Sequence, residues 1–350
     1  MIDNPFSLMY GRIPSSFIKR SEEFKKIHTT FTSDFPNTLA YMITGIRGTG
    51  KTVFLRVLSS ELKEKHGFLV VDLNAQEEMI SSFAQKLYYL GRGNSLFLDF
   101  KLSIDLKFIH LEVGKNETIS NPEIIAEQLL KAARKKNKKI LITIDEVNNT
   151  EEMRKFANFY QSMVGAGYDV FLLMTGLKKN IDALIKSSAA SFLSRTPKIT
   201  LGPLDLVDIA HEYRRVFKLE DETPERLARL TNGYAFAYQV IGYFFFESIG
   251  KTIDDTFLSS VDEYLRKNGY DVIWNELTRK EKELCIALNR SINKTADEVM
   301  TITGMKESNY QNYRAGLIEK GILEANAYGK IDFALPRFGE FIRVNMVYYL

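Results

Sequence analysis

A chain of 350 residues, 45% hydrophobic and 26% charged, has apolar material for two or three folded domains, which excludes an intrinsically disordered protein. Its formal net charge of +3 is too small to make the whole surface attractive to nucleic acid or an anionic membrane, so any basic patch must be local. The single cysteine, Cys285, excludes an internal disulfide and points to a reducing, cytoplasmic setting.

The start, "MIDNPFSLMYGRIP", lacks the basic, apolar and small-residue succession of a secretion signal and reads as mature protein. "LAYMITG" is then a short apolar run with a polar stop, and "VFLRVLSSELKEKH" carries apolar residues at helical spacing. The stretch "GIRGTGKT" between them therefore lies in a strand, loop, helix context. Four more short runs, "GFLVVDLN", "KKILITIDEV", "DVFLLMTGL" and "PKITLG", are separated by helical or polar segments. This is the pattern of a parallel sheet covered on both faces, and it predicts an α/β, three-layer core with five parallel strands. Between the second and third strands, Leu96, Leu98, Phe100, Leu102, Ile104, Leu106 and Phe108 alternate with mainly polar residues. A projecting β-hairpin near 96–113 and an added edge ribbon with only a packing role are the two readings.

Beyond "LGPLD" the strands stop and helices follow to about residue 272, one opened by Thr223 as N-cap with Pro224 at the first helical position. "YAFAYQVIGYFFF", from Tyr234, falls short of the roughly 20 residues a membrane span needs. It reads as a helix buried in protein, with no membrane partner. In the last part, Thr278 with Glu281, Thr295 with Glu298 and Ser308 with Gln311 form three candidate capping boxes and predict three helix starts. Gly321 ends the last of these, and "ILEANAYGKIDFAL" makes two short strands around an Asn326–Gly329 turn. Three short helices and a β-wing predict a winged helix-turn-helix. The division is residues 1–202 for the core, 203–272 for a helical domain and 273–350 for the winged helix.

The chemistry concentrates at the glycines. Gly45, Ile46, Arg47, Gly48, Thr49 and Gly50 form a loop whose backbone amides can curl around phosphate oxygens, and Lys51, Thr52 and Val53 open the helix whose positive end faces them. Lys51 reaches the β and γ phosphates of ATP, and Thr52 offers a hydroxyl to Mg²⁺. A strand buried on both faces has no reason to finish in Asp145-Glu146 unless its end meets solvent or a cation. Asp145 would hold Mg²⁺ and Glu146 would polarise the attacking water as general base. Thr175, ending the next strand, can orient that water, or is simply a strand-end threonine. Arg195 is either a surface charge or an arginine offered to a neighbouring subunit's γ-phosphate.

These residues resemble an AAA+ ATPase, in the branch that holds the origin-recognition initiators together with the STAND and archaeal-ATPase group. The resemblance makes residues 203–272 a lid and Thr175 a sensor 1. It also makes the opening "NPFSLMYGRIPSSFIKRSEEFKKI" a base-contact box in which Phe17 and Ile18 line the adenine pocket, with Lys19 standing where glycine is usual. "TNGYAFAYQ" resembles the lid's glycine-x-proline motif, but Ala235 replaces the proline and no arginine follows. The resemblance thereby implies slow turnover.

The third helix of the winged module offers Asn309, Gln311, Asn312 and Arg314 to DNA, while Tyr310, Tyr313 and Leu317 pack inward. Against double-stranded DNA as partner, Lys and Arg from 276 to 350 are nearly matched by Asp and Glu. Two functions stay open: a DNA-associated ATPase whose nucleotide state controls grip or homo-oligomer assembly, and a STAND-like adaptor switched between ATP and ADP that holds protein partners. "KAARKKNKK" reads as a solvated helix end. Histidines 28, 66, 110 and 211 are scattered without companions at ligand spacing, which argues against zinc. Cys285, on an apolar face, is a poor nucleophile.

Overall fold

The computed structural model describes residues 3–9, 11–93, 121–187, 191–248, 252–325 and 330–345. The alternating segment near 96–113 and the Asn326–Gly329 turn lie outside them. The chain forms two units, one of Lys19–Gly45 and Lys51–Leu201, the other of Met1–Ile18, Ile46–Gly50 and Gly202–Leu350.

The first unit is built on β1 (Ala40–Thr44), β2 (Leu69–Asn74), β3 (Ile140–Asp145), β4 (Val170–Gly176) and β5 (Lys198–Thr200), all parallel in the order β2-β3-β4-β1-β5. The three inner strands are buried along both faces, hence their unbroken apolar runs, whereas edge strand β2 alternates between buried and exposed. Side chains point alternately to the two faces, so the sheet feeds two cores. Tyr41, Ile43, Leu141, Phe171, Leu173 and Ile199 meet α1 (Ser21–Thr32) and α2 (Lys51–His66) on one face. Met42, Val71, Ile142, Ile144, Leu172 and Met174 share the other core with residues of α3 (Met79–Gly93), α4 (Pro122–Lys135), α5 (Glu151–Gly165) and α6 (Lys178–Ser187). The basic run falls where α4 ends, with Arg134 and Lys135 exposed in its last turn, a place where cations complement the helix dipole. A four-residue α7 (Phe192–Arg195) precedes β5.

The second unit contains α8 (Leu206–Phe217), α9 (Thr223–Thr231), α10 (Ala235–Glu247) and α11 (Asp255–Leu265), then a π turn leading to α12 (Asp271–Asn275). Its aromatic α10 lies in one core with Tyr213, Phe257 and Phe6. Phe6 stacks edge-on to Tyr213 at 5.7 Å and to Tyr238 at 5.6 Å. The stretch through Ile18 is stitched here by Gln239, which accepts from Ser7 N–H and donates to Ser16 O. Helices α13 (Arg279–Arg290), α14 (Ala296–Thr303) and α15 (Glu307–Glu319) follow, then an antiparallel pair of β6 (Leu323–Ala325) and β7 (Ile331–Phe333), and α16 (Phe338–Asn345). Trp274 of α12, the chain's one tryptophan, is buried against Phe338 and Phe341.

The helix starts correct several expectations. The Thr278–Glu281 box forms in both directions. At α14, Thr295 caps Glu298 N–H, but the Glu298 carboxylate turns instead to Ser291 Oγ and the amides of Ile292 and Asn293. Ser308 caps nothing, because α15 already begins at Glu307. Thr223 is the first residue of α9 and not its cap: Glu222 holds the N-cap position without a side-chain bond, and Asp221, two residues before Thr223, accepts from the Thr223 amide at 3.0 Å. Gly321 ends α15 as expected, in left-handed backbone at φ +68°.

Glu281 is 5% exposed and takes both carboxylate oxygens to Lys320 Nζ, at 2.6 and 2.7 Å. Burial alone would raise its pKa, but bonds from Lys320 and Thr278 outweigh this and hold it below the ordinary value of 4.5. A depressed carboxyl pKa stabilises the fold above the unfolded value and loses that contribution as pH falls through the folded one. Glu281→Gln is therefore expected to cost about 1–2 kcal/mol in urea unfolding at pH 7. The difference from wild type should shrink steadily once the pH is taken below the ordinary glutamate range.

Candidate functional site

The loop leaving β1 reverses through two left-handed glycines, Gly48 at φ +76° and Gly50 at φ +85°. Within the first unit, Lys51 at the start of α2 folds back and donates from Nζ to Gly45 O at 2.9 Å. The ammonium is thus held against the backbone just beyond β1. At the crest, Thr49 is buried and its hydroxyl donates to Ile46 O at 2.9 Å.

Strand order places the acidic groups. β4 lies between β1 and β3, and Thr175 pairs in register with Ile43 near the end of β1. Its hydroxyl, fully buried, donates to Asp145 Oδ1. Thr52 Oγ1 donates to Asp145 Oδ2 at 2.7 Å. Thr52, Asp145 and Thr175, which are widely separated in sequence, share one carboxylate. Glu146 follows in left-handed backbone at φ +55°, its amide donating to Asp145 Oδ1 and Thr175 Oγ1 at 3.1 and 3.2 Å. That conformation is costly for a residue with a Cβ, by about 1–2 kcal/mol, and it turns the side chain out to an exposed position. The turn is held by residues the sequence did not single out: Asn148 donates to Glu146 O at 3.1 Å and accepts from Asn180 at 2.6 Å. Their only advance signal is the polar run that follows the acid pair.

Other expected residues fall elsewhere. Val53 is half-buried in the first turn of α2. Phe17 and Ile18 are half-buried in the second unit, Ile18 at the margin of its core. Arg195 is exposed at the end of α7 and donates to Ser191 Oγ at 3.3 Å; none of its described bonds reaches the Asp145 cluster. In the second unit, Arg47 pairs with Glu276 at 2.9 Å, Tyr234 Oη–H donates to Arg47 O at 2.9 Å and Phe236 N–H to Gly48 O at 3.0 Å. Sequence spacing missed Tyr234, whose position is visible only once the chain has folded back on the loop.

The fold also unites two histidines that the sequence separates. His28 of α1 and His66 of α2 meet at 3.0 Å between Nε2 atoms, with Glu61 3.7 Å from His28. Burial and the facing His66 push His28 below its ordinary pKa. Among the described residues, no group of three or more His, Cys, Asp or Glu could hold a metal ion. Magnesium needs no such cage, because it takes one or two protein oxygens and completes its shell with phosphate and water. The Thr52 hydroxyl and Asp145 carboxylate, side by side, fit that need.

A parallel sheet of this order, with a glycine loop after β1 and an acid pair closing β3, defines a P-loop ATPase of the AAA+ type. The chain belongs to the family described as an ATPase domain predominantly from Archaea, which matches residues 17–200. Residues 267–342 match a domain of unknown function (DUF8462). In fold the chain is similar to the ORC2 protein of Aeropyrum pernix in its ADPNP-ADP complexes, with 13% identity, 94% of this chain and 92% of that one covered, and a TM-score of 0.60. It is also similar to Cdc6p of Pyrobaculum aerophilum, with 16% identity, 98% and 96% covered, and a TM-score of 0.51. No curated protein matches the chain. Among the described residues no helix is long and apolar enough to cross a membrane.

The strained backbone at Glu146 makes a separable forecast. Glu146→Gly relieves the left-handed penalty and is expected to raise stability by about 0.5–1 kcal/mol while abolishing phosphate release. Thermal unfolding and a phosphate assay on the same preparation measure both.

Proposed function

We propose that the chain binds ATP·Mg²⁺ on the loop from Gly45 to Val53 and hydrolyses it slowly, with the nucleotide state controlling DNA association or assembly. The observation that carries this is the shared carboxylate of Asp145, with the Thr52 and Thr175 hydroxyls both directed onto it. In this mechanism the loop amides and Lys51 cradle the phosphates, and Thr52 and Asp145 hold the cation, which supplies charge neutralisation on the phosphate oxygens. Thr175 fixes the carboxylate and orients water. Glu146, held outward by its own backbone, takes the proton from that water. Phe17 and Ile18 contact the adenine, and Arg195, exposed and bonded only locally, is suited to a neighbouring subunit's nucleotide.

In this reading residues 1–202, 203–272 and 273–350 act as core, lid and winged helix-turn-helix. Helices α13 to α15 with the β6-β7 ladder have the element order of a winged helix. On α15, Tyr310 and Leu317 are buried, while Asn309, Gln311 and Asn312 are exposed to bases or partner alike. Double-stranded DNA is the first partner to test, by analogy with the initiator-type fold. The STAND-like adaptor remains the second reading, favoured by Ile292, 88% exposed at the α13–α14 turn, and by the balanced charge of this region.

One measurement tests the site that both readings share, and a second separates them. Lys51→Ala should lose ATP affinity by at least about tenfold and stay folded; unchanged binding would mean the loop is not a phosphate site. Glu146→Gln, held with ATP or ADP, is then titrated with duplex DNA across a salt series. Nucleotide-dependent binding that weakens steeply with salt supports the DNA reading. An ATP-dependent change in assembly size, with no DNA binding in either state, selects the adaptor.

A further inference from the structure

The carbonyls at the crest of the glycine loop are engaged by the second unit's own residues. Tyr234 Oη–H donates to Arg47 O at 2.9 Å, and Phe236 N–H donates to Gly48 O at 3.0 Å. A trans peptide holds its N–H and C=O on opposite sides of the plane. Fixing the Arg47 carbonyl therefore fixes the direction of Gly48 N–H, and fixing the Gly48 carbonyl fixes that of Thr49 N–H. Both amides belong to the run that curls around phosphate in loops of this kind. Thr49 N–H makes a long 3.5 Å contact to Ile46 O, which an anion could displace.

Rotation of these peptide planes is the freedom that a loop with left-handed glycines most easily exercises. Tyr234 is placed to suppress it. The ring lies so close to Gly48 that a Cβ there would fall 2.1 Å from Tyr234 Oη. Burial raises the phenol's pKa above its ordinary value, so the hydroxyl stays a neutral donor. The turn that delivers it is itself fixed: Tyr234 N–H donates to Thr231 O at 2.8 Å, and a Cβ on Gly233 would collide with Leu204 O at 2.6 Å. Helix α10, which begins at the next residue, carries no lysine or arginine. It therefore offers phosphate no positively charged side chain.

We propose that Tyr234 is a positioning residue for nucleotide: with the Phe236 amide it holds the Arg47–Gly48 and Gly48–Thr49 peptides with their N–H groups set for phosphate. The proposal rests on the loop being the ATP site. Tyr234→Phe removes the donor and keeps the ring over Gly48. Wild type, Tyr234→Phe and Lys51→Ala are compared by calorimetric titration with ATP·Mg²⁺, by steady-state phosphate release and by thermal unfolding. Loss of one hydrogen bond is expected to raise the Kd and KM of Tyr234→Phe by roughly 3- to 10-fold, with kcat altered less than KM and the unfolding temperature lowered by no more than about 4 °C. Equal or tighter binding, or a fall in kcat at constant KM, overturns the proposal. Absence of ATP binding by wild type would instead defeat the nucleotide reading itself. Should the variant fold poorly, amide exchange in the nucleotide-free wild type decides: the Phe236 amide must be protected from exchange, and rapid exchange there overturns the proposal.

Discussion

One carboxylate organises the chemistry of the first unit. Asp145 receives hydroxyls from α2 and β4 at once, and this is possible only because β4 is inserted between β1 and β3. A sheet with β1 directly beside β3 would leave no strand between them to deliver Thr175. The buried hydroxyl satisfies an acceptor that would otherwise face an apolar strand end, and so fixes which way the carboxylate turns. Glu146 is then forced into its left-handed turn by amide bonds to the same two groups.

The second unit has a different logic. Its core is rich in aromatic rings, and several of its charges pair with one another: Arg337 with Asp262, Lys294 with Asp332, Lys320 with Glu281. Such pairs contribute modestly where exposed. They neutralise part of the positive charge of a region with many lysines and arginines. The loop crest belongs with these elements, through Arg47 to Glu276 and through Ile46 beside Gly321, where a Cβ would lie 2.3 Å from the isoleucine.

Most of the sheet was legible in the sequence because its inner strands are buried on both faces and leave continuous apolar runs. The glycine loop and acid pair were legible because their residue types have few other uses in that context. What was not legible depends on distance through space. His28 and His66 lie on consecutive helices and meet only when α1 packs on α2. Tyr234 lies inside the "TNGYAFAYQ" stretch, which the sequence marks by its missing proline and arginine and not by its hydroxyl. The failed capping boxes show a further limit: Thr295 and Ser308 have the right spacing, but Glu298 found three better donors and Lys306 already precedes the first turn of α15. Spacing names a possible bond, and competition among neighbours decides it.

The placement of Trp274 gives the molecule an intrinsic optical label. It is the only tryptophan, it sits in the second unit within a cluster of phenylalanines, and it lies two residues before Glu276, the partner of Arg47. Indole emission therefore reports on the surroundings of α12. A change at the loop crest that releases Glu276 and shifts α12 would be read in that emission without a dye, an added residue or a labelled nucleotide.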